Sequence, residues 1–367
     1  MPIPRHPATF HPMDVATLLS DLSAGRTAAL ARAISVVENG RPGFEQLLAS
    51  LHPRLGRARR IGITGPPGAG KSTLAERLVT SYRAAGLRVA VVAVDPTSPF
   101  TGGALLGDRI RMEAVALDEG VYIRSMATRG SLGGLATTTR EVCDVLDAAG
   151  FDRILIETVG VGQSELDVGR TADSTVLVLV PESGDGIQAL KSGIMEIADV
   201  FAINKADRSG AEKLRQEIEV MLGIRQGNAF RHVRAHHGAR ATAPAAAAPD
   251  GARAGRHAAP TGGDALWAQP VVLTVAARGE GVSDLVAGLD AHHAWLERSG
   301  TLSARRRERH AARTREVVDR AARRWVWAET AAPRRIAERL DEIVAGRVSP
   351  YDVAAEILEG LKQGERV

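Results

Sequence analysis

Cysteine, charge of one sign and long apolar runs are all scarce in this chain. Cys143 is the single cysteine among 367 residues, so no disulfide can form within the chain, and a reducing compartment fits. The 47 basic residues barely outnumber the 43 acidic ones, an excess too small to imply nucleic-acid binding. No apolar run approaches the ~20 residues of a membrane helix, and Met1 to Asp14 lacks a hydrophobic signal region. We therefore expect a cytoplasmic protein that binds neither nucleic acid nor membranes.

The order of the apolar runs predicts an α/β fold. Short β-rich runs recur between residues 60 and 276, and helical or Gly-rich stretches separate them. Runs this apolar are typical of strands buried on both faces, hence of a mainly parallel sheet between two layers of helices. The predicted strands are 61–64, 89–94, 154–156, 176–180, 200–203 and 271–275, with a further candidate at Tyr122-Ile123. Helical patterns are predicted before them, from residue 14 to about 52, and after residue 282.

Residues 226–266 interrupt this alternation of strands and helices. The part from Ala239 to Gly263 is mostly Ala, Gly, Pro, Arg and Thr, with almost no large apolar side chain. Such a composition cannot offset the entropy cost of ordering, so we expect a mobile surface insert. The histidines of the insert form no ordered metal-ligand spacing with Cys or Asp, which favours a low-complexity loop over a metal site.

The strongest functional signal follows the first predicted strand. Residues 65–72 fit the phosphate-loop pattern G-x-x-x-x-G-K-[ST] without a mismatch, between an apolar strand and an amphipathic helical stretch. Glycines let backbone N–H groups converge on a phosphate, and the N-terminus of the following helix adds its positive end. Lys71 is placed to reach the β- and γ-phosphates, and Ser72 to offer its hydroxyl to Mg²⁺. The predicted nucleotide-binding residues of this loop are Gly65, Pro66, Pro67, Gly68, Ala69, Gly70, Lys71, Ser72 and Thr73.

A second motif predicts which base is bound. Asn204-Lys205-Ala206-Asp207 follows the apolar run 200–203, at the carboxyl end of a predicted strand, where α/β sheets bind ligands. The Asp207 carboxylate can accept hydrogen bonds from N1–H and the exocyclic amine of guanine, whereas adenine does not present these donors. Asn204 would brace the loop, and Lys205 would lay its stem along the plane of the base. The motif therefore predicts selectivity for guanine nucleotides.

Two acidic residues at strand ends are candidates for the Mg²⁺ and γ-phosphate site. Glu157 follows the strand 153–156 in the place of an Asp-x-x-Gly element, and the Gly160 N–H is the candidate γ-phosphate contact. Glutamate instead of the commoner aspartate favours a water-mediated metal contact, because its side chain is one methylene longer. Asp95 ends the strand 89–94 at the same sheet edge, which favours a place in the Mg²⁺ shell over a turn-forming role.

With these residues in place, the chain closely resembles the MeaB/ArgK family of methylmalonyl-CoA mutase-associated GTPases. The resemblance spans about 14–225 and 266–362, and its specific stretches are 30–34, 38–39, 62–73, 95–104, 107–112, 124–134, 157–165 and 350–351. It implies a P-loop G domain of the SIMIBI class, with helical extensions at both ends and a C-terminal arm that makes a homodimer. The expected boundaries are 1–57 for the N-terminal extension, 58–297 for the G domain and 298–367 for the arm.

The resemblance also implies an activity and residue roles. It implies slow intrinsic hydrolysis of GTP to GDP and phosphate, and a chaperone role for an adenosylcobalamin-dependent acyl-CoA mutase. In that role GTP gates cofactor loading, and the mutase is protected or reactivated. Adenosylcobalamin would enter only through the mutase, and a cobalamin adenosyltransferase is a further expected partner. By the same resemblance, Asp95, Asp108 and Glu157 join Ser72 as metal and switch residues. The expected catalytic residues are Lys71, Asp95, Asp108, Glu157, Gln188 and Lys191, the last two in a further switch that reorganises on the mutase.

Two features depart from this family. The usual Thr-Ser-Ala loop beside the base reads Thr274-Val275-Ala276 here. The contact to guanine O6 is expected from the Ala276 backbone N–H, so a change of side chain at Val275 is expected to be tolerated. The 226–266 insert is also unusual, and it lies in sequence between the two loops that would read the base.

Three other functions fit parts of the sequence. A nickel-insertion GTPase shares the fold class and the early motifs, but it requires Cys/His metal ligands near the G domain, and Cys143 stands alone. An ArgK-type kinase of a transport protein requires an acceptor site and a catalytic base, and no motif marks either. A G domain that only binds nucleotide and scaffolds other proteins would show no turnover.

Overall fold

The computed structural model describes residues 14–96, 112–128, 134–158, 164–181, 194–225 and 266–363. The chain divides into two compact units, Met1–Leu302 and Ser303–Val367. The first unit contains a β-sheet with helices on both faces. In the second unit the described residues form helices and the turns that join them.

Seven strands form the sheet of the first unit, in the order β3-β2-β4-β1-β5-β6-β7. The strands are β1 (Arg59–Thr64), β2 (Val89–Pro96), β3 (Val121–Thr128), β4 (Arg153–Thr158), β5 (Ser174–Leu179), β6 (Val200–Ile203) and β7 (Val271–Leu273). Every neighbouring pair among these strands is parallel. The mainly parallel α/β fold predicted from the apolar runs is therefore confirmed. Because all seven strands point the same way, their carboxyl ends meet at one edge of the sheet.

Helices cover both faces of this sheet. The helices of the first unit are α1 (Val15–Ser23), α2 (Thr27–Glu38), α3 (Phe44–Leu51), α4 (Lys71–Ala84), α5 (Glu113–Ala116), α6 (Gly134–Ala148), α7 (Ser164–Thr171), α8 (Ile194–Ile197), α9 (Ala211–Arg225) and α10 (Val282–Arg298). One apolar cluster joins the sheet to α1, α2, α3 and α6, and another joins it to α4 and α10. Ile154 and Ile156 of β4 belong to the first cluster and Leu155 to the second, because successive side chains of a strand point to opposite faces.

The N-terminal helical segment folds onto the sheet as part of the first unit. Leu30 and Ile34 of α2 are buried in the same cluster as Val142 and Leu146 of α6. At the end of α2 the Glu38 carboxylate forms an ion pair with Arg124 of β3. The segment predicted as helical from residue 14 to about 52 is thus confirmed, and it forms three helices that bury one apolar layer.

The strand β7 is shorter than the run 271–275 that the sequence indicates. It ends at Leu273, and Val275 forms instead an isolated antiparallel bridge with Glu280. A tight turn joins these two residues, and Gly279 within it and Gly281 directly after it take positive φ angles of 77° and 72°. A Cβ atom at Gly281 would lie 2.0 Å from the Leu273 carbonyl oxygen, so the turn requires glycine there.

The second unit consists of packed helices. The helix α11 (Thr301–Arg324) enters it and continues as a π-helical turn at Trp325–Glu329, followed by α12 (Ala332–Val344) and α13 (Pro350–Lys362). Ala332, Val353 and Ile357 form its small buried core. The helix α13 starts at a capping box, in which the Ser349 hydroxyl accepts from the Asp352 N–H and the Asp352 carboxylate accepts from the Ser349 N–H. Among the described residues, no helix is long and apolar enough to cross a membrane.

Candidate nucleotide site

The phosphate loop joins the carboxyl end of β1 to the first turn of α4. Its glycines satisfy steric demands that other residues could not. Gly65 has a φ angle of 136°, and a Cβ atom there would lie 2.1 Å from the Val178 carbonyl oxygen of β5. Gly70 has a φ angle of 87°, and a Cβ atom there would lie 2.4 Å from Asn204 Nδ2. The loop is thereby pressed against β5 and against the loop that follows β6.

Lys71 begins α4, and its side chain lies back across the phosphate loop. Lys71 is 6% exposed, and its ammonium group donates to the carbonyl oxygens of Gly65 at 2.8 Å and Pro66 at 3.0 Å. An ammonium group held beside the backbone of a glycine-rich loop is well placed to bind phosphate oxygens. Thr73 follows on the exposed side of the first turn.

Glu165 lies near Lys71, and sequence reasoning did not select it as a site residue. It stands in the first turn of α7 and is only 7% exposed. Burial raises the pKa of its carboxyl group above the ordinary value, and the positive charge of Lys71 opposes that shift. The only signal in the sequence is its place at the end of the stretch 157–165, which begins with Glu157.

Ser72 and Glu157 meet where α4 begins and β4 ends. The Ser72 hydroxyl donates to Glu157 Oε1 at 2.6 Å, and both residues are buried. Glu157 pairs with Ile63 of β1 and Ala93 of β2, so Asp95 of β2 follows at the same edge of the sheet. A hydroxyl and a carboxylate are the oxygen donors that Mg²⁺ prefers, so these residues fit that ion.

Asn204 lies at the junction of three loops. Its Nδ2 donates to the Ala69 carbonyl oxygen at 2.8 Å, which fastens it to the phosphate loop. Its Oδ1 accepts from the Ala276 backbone N–H at 3.0 Å and from Thr274 Oγ1 at 3.3 Å. The Asn204 side chain is buried, so these bonds are shielded from water and hold the loops after β1, β6 and β7 together.

The two residues that would contact the faces and edge of the base stand next to Asn204. Lys205 is the one non-glycine residue with a positive φ angle, 57°, in the described part of the chain, and its Nζ donates to the Gly68 carbonyl oxygen at 2.9 Å. The Asp207 carboxylate is partly exposed and lies 3.3 Å from Arg278 Nη1. Arg278 also forms a fork with Glu280, through bonds of 2.6 and 3.1 Å, and this contact holds the pKa of Glu280 below its ordinary value.

The loop after β7 is held from α4 as well as from Asn204. Arg77 Nε donates to the Ala276 carbonyl oxygen at 3.0 Å, and Arg77 Nη2 donates to the Ala277 carbonyl oxygen at 2.8 Å. The same helix therefore begins at the phosphate loop and, about 1.7 turns later, contacts the loop expected to read the base. No motif in the sequence indicated Arg77.

The structure brings together Lys71, Ser72, Glu157, Asn204, Lys205, Asp207 and Ala276 at one edge of the sheet. Asp108, Gly160, Gln188 and Lys191 lie outside the described residues, and only the backbone position of Asp95 is described. The functional roles of all these residues, whether described or not, stay predictions. Within the described ranges, no group of three His, Cys, Asp or Glu side chains is arranged to hold a metal ion.

Comparisons with known proteins place this chain in a family. A family model described as methylmalonyl Co-A mutase-associated GTPase MeaB matches residues 30–331. A protein of Pyrococcus abyssi that bears the name GTPase is 45% identical over 292 residues, which are 80% of each chain. The mouse protein named methylmalonic aciduria type A homolog, mitochondrial, is 42% identical over 204 residues, or 52% of this chain and 49% of the mouse protein. The crystal structure of a LAO/AO transport system kinase shares the fold, with a TM-score of 0.62 and 24% identity over 97% of this chain and 100% of that one.

Proposed function

Because this chain belongs to the family of methylmalonyl Co-A mutase-associated GTPases, we propose that it is the chaperone of an adenosylcobalamin-dependent acyl-CoA mutase. The chain is a GTP hydrolase of the P-loop class, as the family is. In the proposed role, GTP hydrolysis gates the loading of adenosylcobalamin into the mutase and protects or reactivates that enzyme. Adenosylcobalamin reaches the chain only through its partner, and a cobalamin adenosyltransferase is a second proposed partner.

The proposed assignment of the site follows the contacts of its residues. Lys71 would exchange its bonds to Gly65 and Pro66 for bonds to the β- and γ-phosphates. Ser72 and Glu157, with Asp95 and Asp108, would hold Mg²⁺, which when bound would neutralise charge on the phosphates. Gly160 would contact the γ-phosphate.

The base would be read by the loops that Asn204 joins. Asp207 would accept from guanine N1–H and the exocyclic amine, and Lys205 would cover one face of the base. The Ala276 N–H would donate to O6 in place of its present bond to Asn204. A guanine edge offers one acceptor and two donors in this order, and the proposed site offers the matching partners.

The extent of the family match carries the proposal. The matched residues 30–331 include the phosphate loop, Glu157, both base loops and most of the helix α2, and not only the short motifs that many GTPases share. The family is named for methylmalonyl Co-A mutase and the mouse relative for methylmalonic aciduria, which supports an acyl-CoA mutase as the partner. We also propose that the chain forms a homodimer through its C-terminal helices, and that Gln188 and Lys191 form a switch that reorganises on the mutase.

A direct binding experiment tests the partnership. The full chain, loaded with a non-hydrolysable GTP analogue or with GDP, is mixed with the adenosylcobalamin-dependent acyl-CoA mutase of the same organism. We expect a complex on size-exclusion chromatography whose stability differs between the two nucleotides. A mutase that elutes alone with both nucleotides, and with cobalamin present or absent, would contradict the proposed partnership while leaving the GTPase assignment intact.

A further inference from the structure

We propose that Arg77 is a positioning residue for guanine selectivity, acting through the loop 275–281 that would meet O6 of the base. The inference rests on the proposed assignment of the base site. Arg77 touches neither the base nor the phosphates in this proposal. It sets the position of the backbone that does, from a helix whose first residues bind the phosphates.

The Arg77 guanidinium contacts the loop through a bidentate pair of hydrogen bonds, which we call the clamp. Arg77 Nε and Nη2 donate to two successive carbonyl oxygens, those of Ala276 at 3.0 Å and Ala277 at 2.8 Å. The carbonyl oxygen just before them, that of Val275, accepts from the Arg278 N–H at 2.9 Å. Three consecutive peptide groups are therefore fixed, and the Ala276 N–H lies among them. A planar guanidinium with donors at fixed spacing suits such a pair of acceptors, whereas a lysine ammonium can satisfy them less well.

Other bonds that hold this loop lie within the loop itself or run to Asn204 and Asp207, whereas Arg77 ties it to α4. Within the loop, the Gly279 N–H donates to the Ala276 carbonyl oxygen at 3.2 Å. β7 ends at Leu273, and the segment returns through a tight turn to the isolated bridge between Val275 and Glu280. Asn204 holds the Ala276 N–H, but a base that takes this N–H would release that bond. The bonds from Arg77 go to carbonyl oxygens, so they persist when guanine binds and keep the N–H aimed at O6.

The clamp has a predictable effect on base choice. A fixed N–H favours an acceptor at position 6 of the purine, which guanine and hypoxanthine have, and opposes the amine that adenine carries there. Asp207 reads a different part of the base edge, including the exocyclic amine that hypoxanthine lacks. Loss of the contacts from Arg77 should therefore lower the affinities for GTP and ITP by the same factor. A change at Asp207 should instead affect the affinity for GTP differently from the affinity for ITP.

The experiment measures dissociation constants by displacement of a fluorescent guanine nucleotide. The variants are Arg77→Ala and Arg77→Lys, with Arg83→Ala as the matched control, because Arg83 lies on the same helix but pairs with Asp118 and the Leu87 carbonyl oxygen. For Arg77→Ala we expect the affinities for GTP, GDP and ITP to fall by roughly tenfold. The affinities for ATP and for inorganic pyrophosphate, the probe that lacks a base, should be unchanged. Arg77→Lys should fall between the wild type and Arg77→Ala, and the KM for GTP should rise more than kcat falls.

The outcomes separate this inference from the site assignment on which it rests. If Arg77→Ala keeps the wild-type ratio of GTP to ATP affinity, or weakens pyrophosphate as much as GDP, the positioning role is wrong. An equal loss of GTP affinity in Arg83→Ala would also overturn it, because the effect would then belong to the helix as a whole. If Asp207→Asn fails to shift preference from guanine to xanthine, the base site itself is misassigned.

Discussion

The Ser72 hydroxyl donates a hydrogen bond of 2.6 Å to the carboxylate of Glu157. This bond joins the first turn of α4 to the carboxyl end of β4, and its two residues are 85 positions apart in the chain. Both groups can supply an oxygen ligand to a metal ion, and both residues are buried. An ion such as Mg²⁺ would meet them as one preformed pair rather than as two independent ligands.

Replacing Glu157 by Gln should raise the Mg²⁺ concentration needed for half-maximal GTP turnover, by about tenfold or more, because the neutral amide attracts a cation less. The measurement is the turnover rate against Mg²⁺ at fixed GTP. Glu212→Gln is the matched control, since Glu212 stands on the exposed surface of α9. Superimposable Mg²⁺ curves for the wild type and Glu157→Gln would remove Glu157 from the metal site.

Replacing Lys71 by Ala should slow hydrolysis by about a hundredfold or more and weaken GTP binding, because a positive charge is lost from the phosphate loop. We expect the fold to persist, because the two carbonyl oxygens that Lys71 contacts can accept hydrogen bonds from water instead. Single-turnover hydrolysis and thermal unfolding are measured together, with Lys213→Ala on the surface of α9 as the control. Lost activity with a collapsed unfolding transition would mean that Lys71 acts on the structure instead.

Replacing Asp207 by Asn should lower the affinity for GTP and raise the affinity for XTP, because the amide reverses part of the donor and acceptor pattern that the side chain presents to the base. The same change removes the contact with Arg278, so Arg278→Ala is the necessary control. That ion pair is half exposed and contributes little, so Arg278→Ala should keep GTP affinity within about fivefold of the wild type. Competition assays with GTP, XTP and ATP decide the matter, and equal competition by ATP and GTP in the wild type would refute the base assignment.

Replacing Glu165 by Gln should raise the melting temperature at about pH 7.5, by about 2 °C or more. Burial raises the pKa of Glu165, so the folded state favours the protonated carboxyl. The stability that this preference adds is complete below the ordinary pKa and is lost as pH rises through the raised pKa. The advantage of the variant should therefore shrink towards about pH 5. Thermal unfolding across this range tests the sign, with the exposed Glu119→Gln as control, and a variant that is less stable at every pH would contradict it.

The strands of the sheet were predictable where the local sequence of a strand is apolar throughout. The run 200–203 is uniformly apolar and coincides with β6 (Val200–Ile203), because a strand buried on both faces tolerates little else. The sequence marked only Tyr122-Ile123 in β3, which runs from Val121 to Thr128 with Arg124 and Ser125 among its residues. The order of the strands in the sheet depends on packing between distant segments, and no local pattern encodes it.

The candidate site was predictable where its residues belong to contiguous motifs. Lys71, Ser72, Asn204 and Asp207 stand at fixed spacings that the chemistry of nucleotide binding requires. Arg77 looked like any arginine on an amphipathic helix, because its partner Ala276 is 199 residues further along the chain. Its function depends on tertiary contact, which a single sequence does not show.

The central claim is that the mutase controls this GTPase, and the rate of GTP hydrolysis in the presence of the mutase tests it most directly. A site whose switches are ordered by a partner should be slow alone and faster when bound. We predict that adding the organism's own adenosylcobalamin-dependent acyl-CoA mutase raises the turnover rate to a plateau, by about tenfold or more. Gln188→Ala and Lys191→Ala should each lose most of that stimulation. An unchanged wild-type rate at saturating mutase, or normal stimulation of both variants, would contradict the account.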